Sequence, residues 1–498
     1  MTVALERPRQ LDRLKRLLGV VSDLQHAESL ASWDSRVFMP PRGAAARADI
    51  SGTLGRLAHE RFVSDEVGEL LDELRPYEEG LEYESDDASL IRVTRRDWER
   101  YSRVPGQLVG EIWRAAALGI AAWEEARAAS DASQLAVHLE RQLELRHRYI
   151  ECFPPAAERY DVLLEDYEPG MTAAQVAAIF EEVKRAAFPL IEAAPEIDDS
   201  FLFGEFDPLA QEEASHRVLT AFGFEHNGWR LDETAHPFQA NPGVGDIRLT
   251  THYRSGDLHS LFSTMHEFGH GVYEWGVDAA LARTPLGTGT SSALHESQSR
   301  TWENLVGRSR AFWRFFYPAL QELFQQFGGV DEDSFYRAVN RVRRTAVRLD
   351  ADEVTYNLHV ILRFELERDL LEGRLAVADL PDAWAGAMQD YLGLVPRDDA
   401  EGFLQDMHWG AGLIGYFPTY SLGNVLSVQI WERARHDLGD LDAQMERGEF
   451  APLREWLREH VYRHGRKFTP DELIGRITGG PIDAGPYVRY LQEKLATL

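Results

Sequence analysis

The chain has 498 residues, 44% hydrophobic and 11% aromatic, enough apolar material to bury a large core and to exclude a disordered chain. Lysine and arginine total 53 against 82 aspartates and glutamates, a net charge of −29 that disfavours nucleic acid and anionic lipid as partners. Cys152 is the only cysteine, so neither an intramolecular disulfide nor a thiolate metal cluster can form.

The opening stretch MTVALERPRQLDRLKRLLGV lacks the uninterrupted apolar run of a signal peptide. No later stretch offers about 18 uncharged apolar residues, so the expected placement is the cytoplasm, away from membranes. Helical periodicity follows at once. Leu11, Leu14, Leu18, Val21 and Leu24 recur at three- and four-residue intervals, an apolar stripe on a polar helix. The stretches 47–74 and 131–151 read the same way, separated by the polar segment 77–89, which reads as a solvated loop. Thr172 and Gln175 stand in capping-box spacing ahead of Val176, Ile179, Phe180 and Val183, which predicts a helix start.

One region departs from this pattern. Glycines, Pro237 and Pro242 punctuate 226–257, and Asp246, Arg248 and Thr250 alternate with Ile247 and Leu249. That alternation predicts a short strand, here read as part of a small antiparallel sheet beside a cleft where an extended peptide could pair.

The helical pattern then resumes as STMHEFGHGVYEWG, residues 263–276. Residues four apart on a helix differ by about 40° in azimuth, so His266 and His270 face the same way and can share one metal ion. Glu267 lies on the flank of that face, placed to act on a water held by the metal without being a ligand. Gly269 and Gly271 weaken a helix, and their small size leaves room for another backbone to come close. A catalytic zinc has three protein ligands, and the third is sought in TSSALHESQSRTWENLVGRS, residues 290–309. Glu296 lies far enough past His270 for a turn and a return helix. His295 is the alternative ligand. Glu303, two turns beyond Glu296 on the same face, can orient a ligand from behind.

The motifs HPF at 236–238, DIRLT at 246–250, HEFGH at 266–270 and HESQS at 295–299 occur in the order found in the carboxypeptidase Taq (M32) family of metallocarboxypeptidases. The segments 33–48, 160–172, 348–367 and 404–424 also resemble blocks of that family, so the likeness spans almost the whole chain. One departure is Trp275, where many members carry glutamine. The resemblance implies a mainly helical fold: one large helical body with a deep active-site groove and a small β-sheet beside it. It implies a single domain over residues 1–498, with a helical part to about 170, a metal-site part over about 171–430 and carboxy-terminal helices over about 431–498. It also implies a homodimer, and one divalent metal ion per chain, zinc (Zn2+) or alternatively cobalt (Co2+). The expected activity is removal of residues from peptides with a free C-terminus.

Metal held by His266, His270 and Glu296 would lower the pKa of its water, and Glu267 would take the proton as general base and return it to the leaving amine. By resemblance Tyr420 assists the oxyanion, with Tyr416 as the neighbour that could replace it. Arg348 is the family-based choice for the terminal carboxylate, since a guanidinium can grip a carboxylate through two parallel hydrogen bonds; the competing reading pairs it with Asp350 or Asp352. His236 and His408 lie in family blocks as candidate substrate contacts, and Trp409 reads as packing. Two other functions fit parts of the pattern: an endo-oligopeptidase with the same metal chemistry, and a non-catalytic helical scaffold.

Overall fold

Leu11, Leu14, Leu18 and Val21 lie buried along one helix, Arg9–Val37, as their spacing predicts. The computed structural model describes residues 7–498, so the first six residues of the stretch read for a targeting signal lie outside it. The segment 47–74 is not one helix but two, Ala44–Phe62 and Asp65–Glu73, because Ser64 adopts an extended backbone between them (φ −64°, ψ 149°). The polar segment 77–89 is also shorter as a loop than its composition suggests. Arg75–Glu79 is helical, and the helix Asp86–Tyr101 begins where the Ser85 side chain accepts a hydrogen bond from the Ala88 N–H. Local capping overrode the polar composition. The capping box at Thr172 and Gln175 forms as expected and starts the helix Ala173–Ala193.

The predicted sheet has three strands, β1 (Trp229–Glu233), β2 (Gln239–Gly243) and β3 (Asp246–Thr251). It is mixed rather than antiparallel. β2 and β3 form an antiparallel hairpin, with Gln239 opposite Leu249, but β3 returns between β1 and β2. β1 therefore runs parallel to β3, with Trp229 opposite Ile247. Ile247 and Leu249 are buried toward the helices, whereas Arg248 turns outward and stacks over Trp33 of the first helix.

Among the described residues, the buried apolar side chains form two clusters. The smaller joins the amino-terminal helices, Leu11 to Val93, to Val277, Leu281 and Leu286. The larger runs from Val104 to Leu491 and surrounds the helices that carry the site. Among the described residues, no helix is long and apolar enough to cross a membrane.

Candidate metal centre

The motif helix spans His259–Gly276 and begins where the Asp257 carboxylate accepts from the His259 N–H at 2.9 Å. Leu261, Met265, Phe268 and Val272 bury one side of it. His266, Glu267 and His270 face a cavity of about 600 Å³, also lined by Pro237, Phe238, Glu296, Tyr416 and Tyr420. Glu296 comes from the helix Ser292–Arg300, whose free N–H groups are met by Ser291 and by the buried Glu168 carboxyl group, an oxygen of which accepts from the Ala293 N–H at 2.5 Å.

Two glycines let this helix sit against its neighbours at backbone distance. A Cβ on Gly269 would lie 2.4 Å from the Gln298 carbonyl oxygen. A Cβ on Gly423, in the helix Pro418–Leu438, would lie 2.6 Å from Cγ of Glu296 itself. The helix carrying Glu296 is thus clamped from two sides.

His266 Nε2 and His270 Nε2 are 3.3 Å apart, and Oε2 of Glu296 lies 3.7 and 3.5 Å from them. Ligands about 2.1 Å from a tetrahedral ion stand roughly 3.4 Å from one another, so these three atoms match one face of a zinc-type site. The three residues form the metal-compatible cluster among the described residues. Their remaining polar atoms are engaged. His266 Nδ1 meets Glu303 Oε2 at 2.9 Å, His270 Nδ1 meets His295 Nδ1 at 2.8 Å, and Glu296 Oε1 accepts from Arg300 Nε at 2.8 Å. The structure thus groups Glu296 with the two histidines and leaves His295 behind His270.

Glu303 lies in a π-helical stretch, Thr301–Val306, and also accepts from Arg300 Nη1 at 3.0 Å. Burial raises its pKa, but Arg300 and His266 outweigh that and hold the carboxyl down at about 2. Glu267 shows the opposite balance. Burial raises it, His266 opposes, and the nearby Glu296 and Glu303 add to the rise, leaving it at about 7. A carboxylate poised there can both take and release a proton near neutrality.

Tyr420 and Tyr416 both line the cavity, their rings 5.3 Å apart and nearly perpendicular. Burial raises both phenols, so each keeps its proton. His408 Nε2 lies 3.0 Å from the Tyr420 hydroxyl, and burial lowers its pKa to about 4, so it is neutral.

Arg348 is not on the cavity lining. It pairs with neither Asp350 nor Asp352 but with Asp406, 58 residues away, at 2.6 Å from Nη2, and its Nη1 donates to the Tyr356 hydroxyl at 2.8 Å. Its guanidinium carbon lies 4.9 Å from the centre of the Tyr420 ring. Asp352 instead caps a helix, accepting from the Val354 and Thr355 N–H groups. His236 is exposed, and it is its neighbours Pro237 and Phe238 that reach the cavity. Trp409 is buried and donates to Glu367 at 2.8 Å. Trp275 packs over Gly228 and Trp229, off the cavity lining.

Sequence reasoning assigned no role to Arg300, Asp406, Glu274 or Gly423. Arg300 was visible as an i,i+4 partner of Glu296; the other three act on residues distant in the chain and left no local signal.

The sequence model of the carboxypeptidase Taq (M32) metallopeptidase family matches residues 13–495. The chain is 39% identical over 484 residues to thermostable carboxypeptidase 1 of Thermus thermophilus, covering 94% of this chain and 95% of that protein. It is 37% identical to carboxypeptidase 1 of Bacillus subtilis over 488 residues, 97% of each chain. The crystal structure of an M32 carboxypeptidase from Deinococcus radiodurans superposes with a TM-score of 0.94 at 42% identity, over 98% of this chain and 99% of that one. With its His-His-Glu site built on the same fold, this chain belongs to the M32 family of metallocarboxypeptidases.

Proposed function

We propose that this metallocarboxypeptidase trims C-terminal residues from peptides at the cavity of His266, His270 and Glu296, with zinc as the metal and cobalt as a competent substitute. The observation that carries this reading is the triangle of donor atoms at 3.3, 3.5 and 3.7 Å on the cavity wall. When bound, the cation supplies Lewis-acid activation of the scissile carbonyl and a lowered pKa for attacking water.

The chain's own residues do the rest. Glu267 takes a proton from water as its oxygen bonds to the carbonyl carbon. It then delivers that proton to the leaving amine as the C–N bond breaks. Tyr420, or Tyr416 beside it, donates its hydroxyl proton to the oxygen on which negative charge develops. His408 supports this by donating Nε2–H to the Tyr420 oxygen, which leaves the phenolic proton free. Glu303 holds the His266 ring with Nδ1 protonated and Nε2 available. Arg348 is proposed to receive the substrate's carboxylate. Asp406 and Tyr356 fix its guanidinium, and one N–H on each terminal nitrogen stays uncommitted. His236 would act at the mouth of the groove. The active unit is proposed as one domain over residues 1–498 and as a homodimer in the cytoplasm.

Incubating the zinc-loaded protein with an unblocked peptide and its C-terminally amidated twin tests this, with products read by mass spectrometry. A ladder from the free C-terminus, absent from the amidated peptide, is expected. Equal cleavage of both peptides, or internal fragments, would establish the endo-oligopeptidase instead.

A further inference from the structure

His295 is outside the ligand triangle, yet its ring is held on every side. Nδ1 lies 2.8 Å from His270 Nδ1, and Nε2 lies 2.7 Å from Glu274 Oε1. The Tyr273 ring sits against one face, centroids 5.1 Å apart, and a Cβ on Gly289 would come within 2.8 Å of His295 Cδ2. Glu274 is buried and surrounded by donors. Its Oε1 accepts from the Thr288 hydroxyl at 2.7 Å and from the Gly289 N–H at 3.1 Å, and its Oε2 accepts from Asn241 Nδ2 at 2.8 Å.

A carboxylate ringed by donors can only accept, so the proton between it and His295 resides on His295 Nε2. His270 can bind a metal through Nε2, the atom that faces Glu296 and His266, only with its own proton on Nδ1. The short contact between the two Nδ1 atoms holds one hydrogen, so His295 Nδ1 accepts it and His270 Nε2 keeps its lone pair. His266 reaches the same state by a different route, through Glu303 directly.

We propose that Glu274 and His295 are positioning residues that set the tautomer and ring orientation of His270, so that this ligand is backed by a carboxylate acting through a second imidazole. The proposal rests on the reading of His266, His270 and Glu296 as the metal site. It gives both residues a role in metal retention without contact with metal or substrate. Partners of this kind change metal affinity by about 10–100-fold when removed.

The test has two arms on the full-length protein. In the first, histidine-selective ¹⁵N NMR of the zinc-loaded wild type should show His295 as the neutral Nε2–H tautomer and His270 protonated at Nδ1. In the second, zinc affinity is measured by competition with a chromophoric chelator for wild type, His295→Phe and Glu274→Gln. Circular dichroism of the metal-free proteins checks the fold. Both variants should bind zinc about 10–100-fold more weakly than wild type, with His295→Phe the weaker of the two. If His295→Phe fails to fold, Thr288→Val, which removes one donor to Glu274, should give a smaller loosening of the same sign. Wild-type zinc binding with unchanged affinity in the folded variants, or a proton on His295 Nδ1, would overturn this proposal alone. A wild type that binds no zinc would overturn the ligand triangle, and this proposal with it.

Discussion

Replacing Gly269 by alanine measures how closely the two metal-bearing helices must sit. The new Cβ would meet the Gln298 carbonyl oxygen and Ser299 Cα at 2.4 Å, whereas real Cβ contacts do not fall below 3.0 Å. The helices must therefore separate by at least 3.0 − 2.4 = 0.6 Å. Catalytic groups tolerate about 0.5 Å of error, so the displacement is large enough to pull Glu296 out of register with His266 and His270. Alanine itself favours a helix over glycine by about 1 kcal/mol, while overpacking a core costs about 1–3 kcal/mol. A net destabilisation of about 1 kcal/mol is expected, with kcat/KM reduced about 10–100-fold by misplacement of the ligand. Urea unfolding of the metal-free protein gives the first number and hydrolysis of an unblocked peptide the second. Gly110→Ala is the control, because its Cβ would meet nothing within 4 Å in the helix Gly106–Ala129, and it should stabilise by about 0.5–1 kcal/mol. If Gly269→Ala behaved like Gly110→Ala in both assays, the close-approach argument would be wrong.

Glu267→Gln should lower kcat by about 10²–10⁴-fold while zinc stoichiometry stays at one, since the residue moves protons and does not bind metal; undiminished turnover would sink its role as base. Glu267 must be ionised to act, so kcat/KM should fall toward acid, with its limb below the value of about 7 in the metal-free site because a bound cation lowers it. A profile flat from pH 8 down to about pH 4 would refute this. Burial raises Glu168 to about 8, outweighing its hydrogen bonds from Ala293 and Ser291. The fold therefore holds this proton more tightly than the unfolded chain does. Stability is lost as pH rises from about 4.5 to 8, by up to about 1.4 kcal/mol per unit. Glu168→Gln should gain on wild type steadily over that window in urea unfolding, and a constant difference would count against the assignment. Asp406→Asn strands Arg348 and Arg363, whose side chains are 6% and 0% exposed, and should destabilise by about 3–5 kcal/mol. A loss below 1 kcal/mol in the same assay would show that the two guanidinium groups find other partners.

What could be read in the sequence was governed by short-range geometry. The stripe from Leu11 to Val21, the capping box at Thr172 and Gln175, and the shared face of His266 and His270 all follow from the 3.6-residue turn, which relates residues three and four apart regardless of the rest of the chain. The same rule put Glu303 on the face of Glu296. The resemblance across ordered motifs then supplied the activity. Tertiary structure alone decided which distant groups meet. Alternation marked β3 as a strand but could not say that it inserts between β1 and β2, which is why the sheet is mixed. Arg348 had acidic neighbours at 350 and 352 and chose Asp406, brought to it by the loop before the helix Pro418–Leu438. His295 could have been a ligand by spacing, and the crossing of its helix over Gly269 turned it toward His270 and Glu274 instead. Periodicity fixes the face on which a side chain lies. Its hydrogen-bond partner depends on the register between elements, and that register is set only when the helices pack.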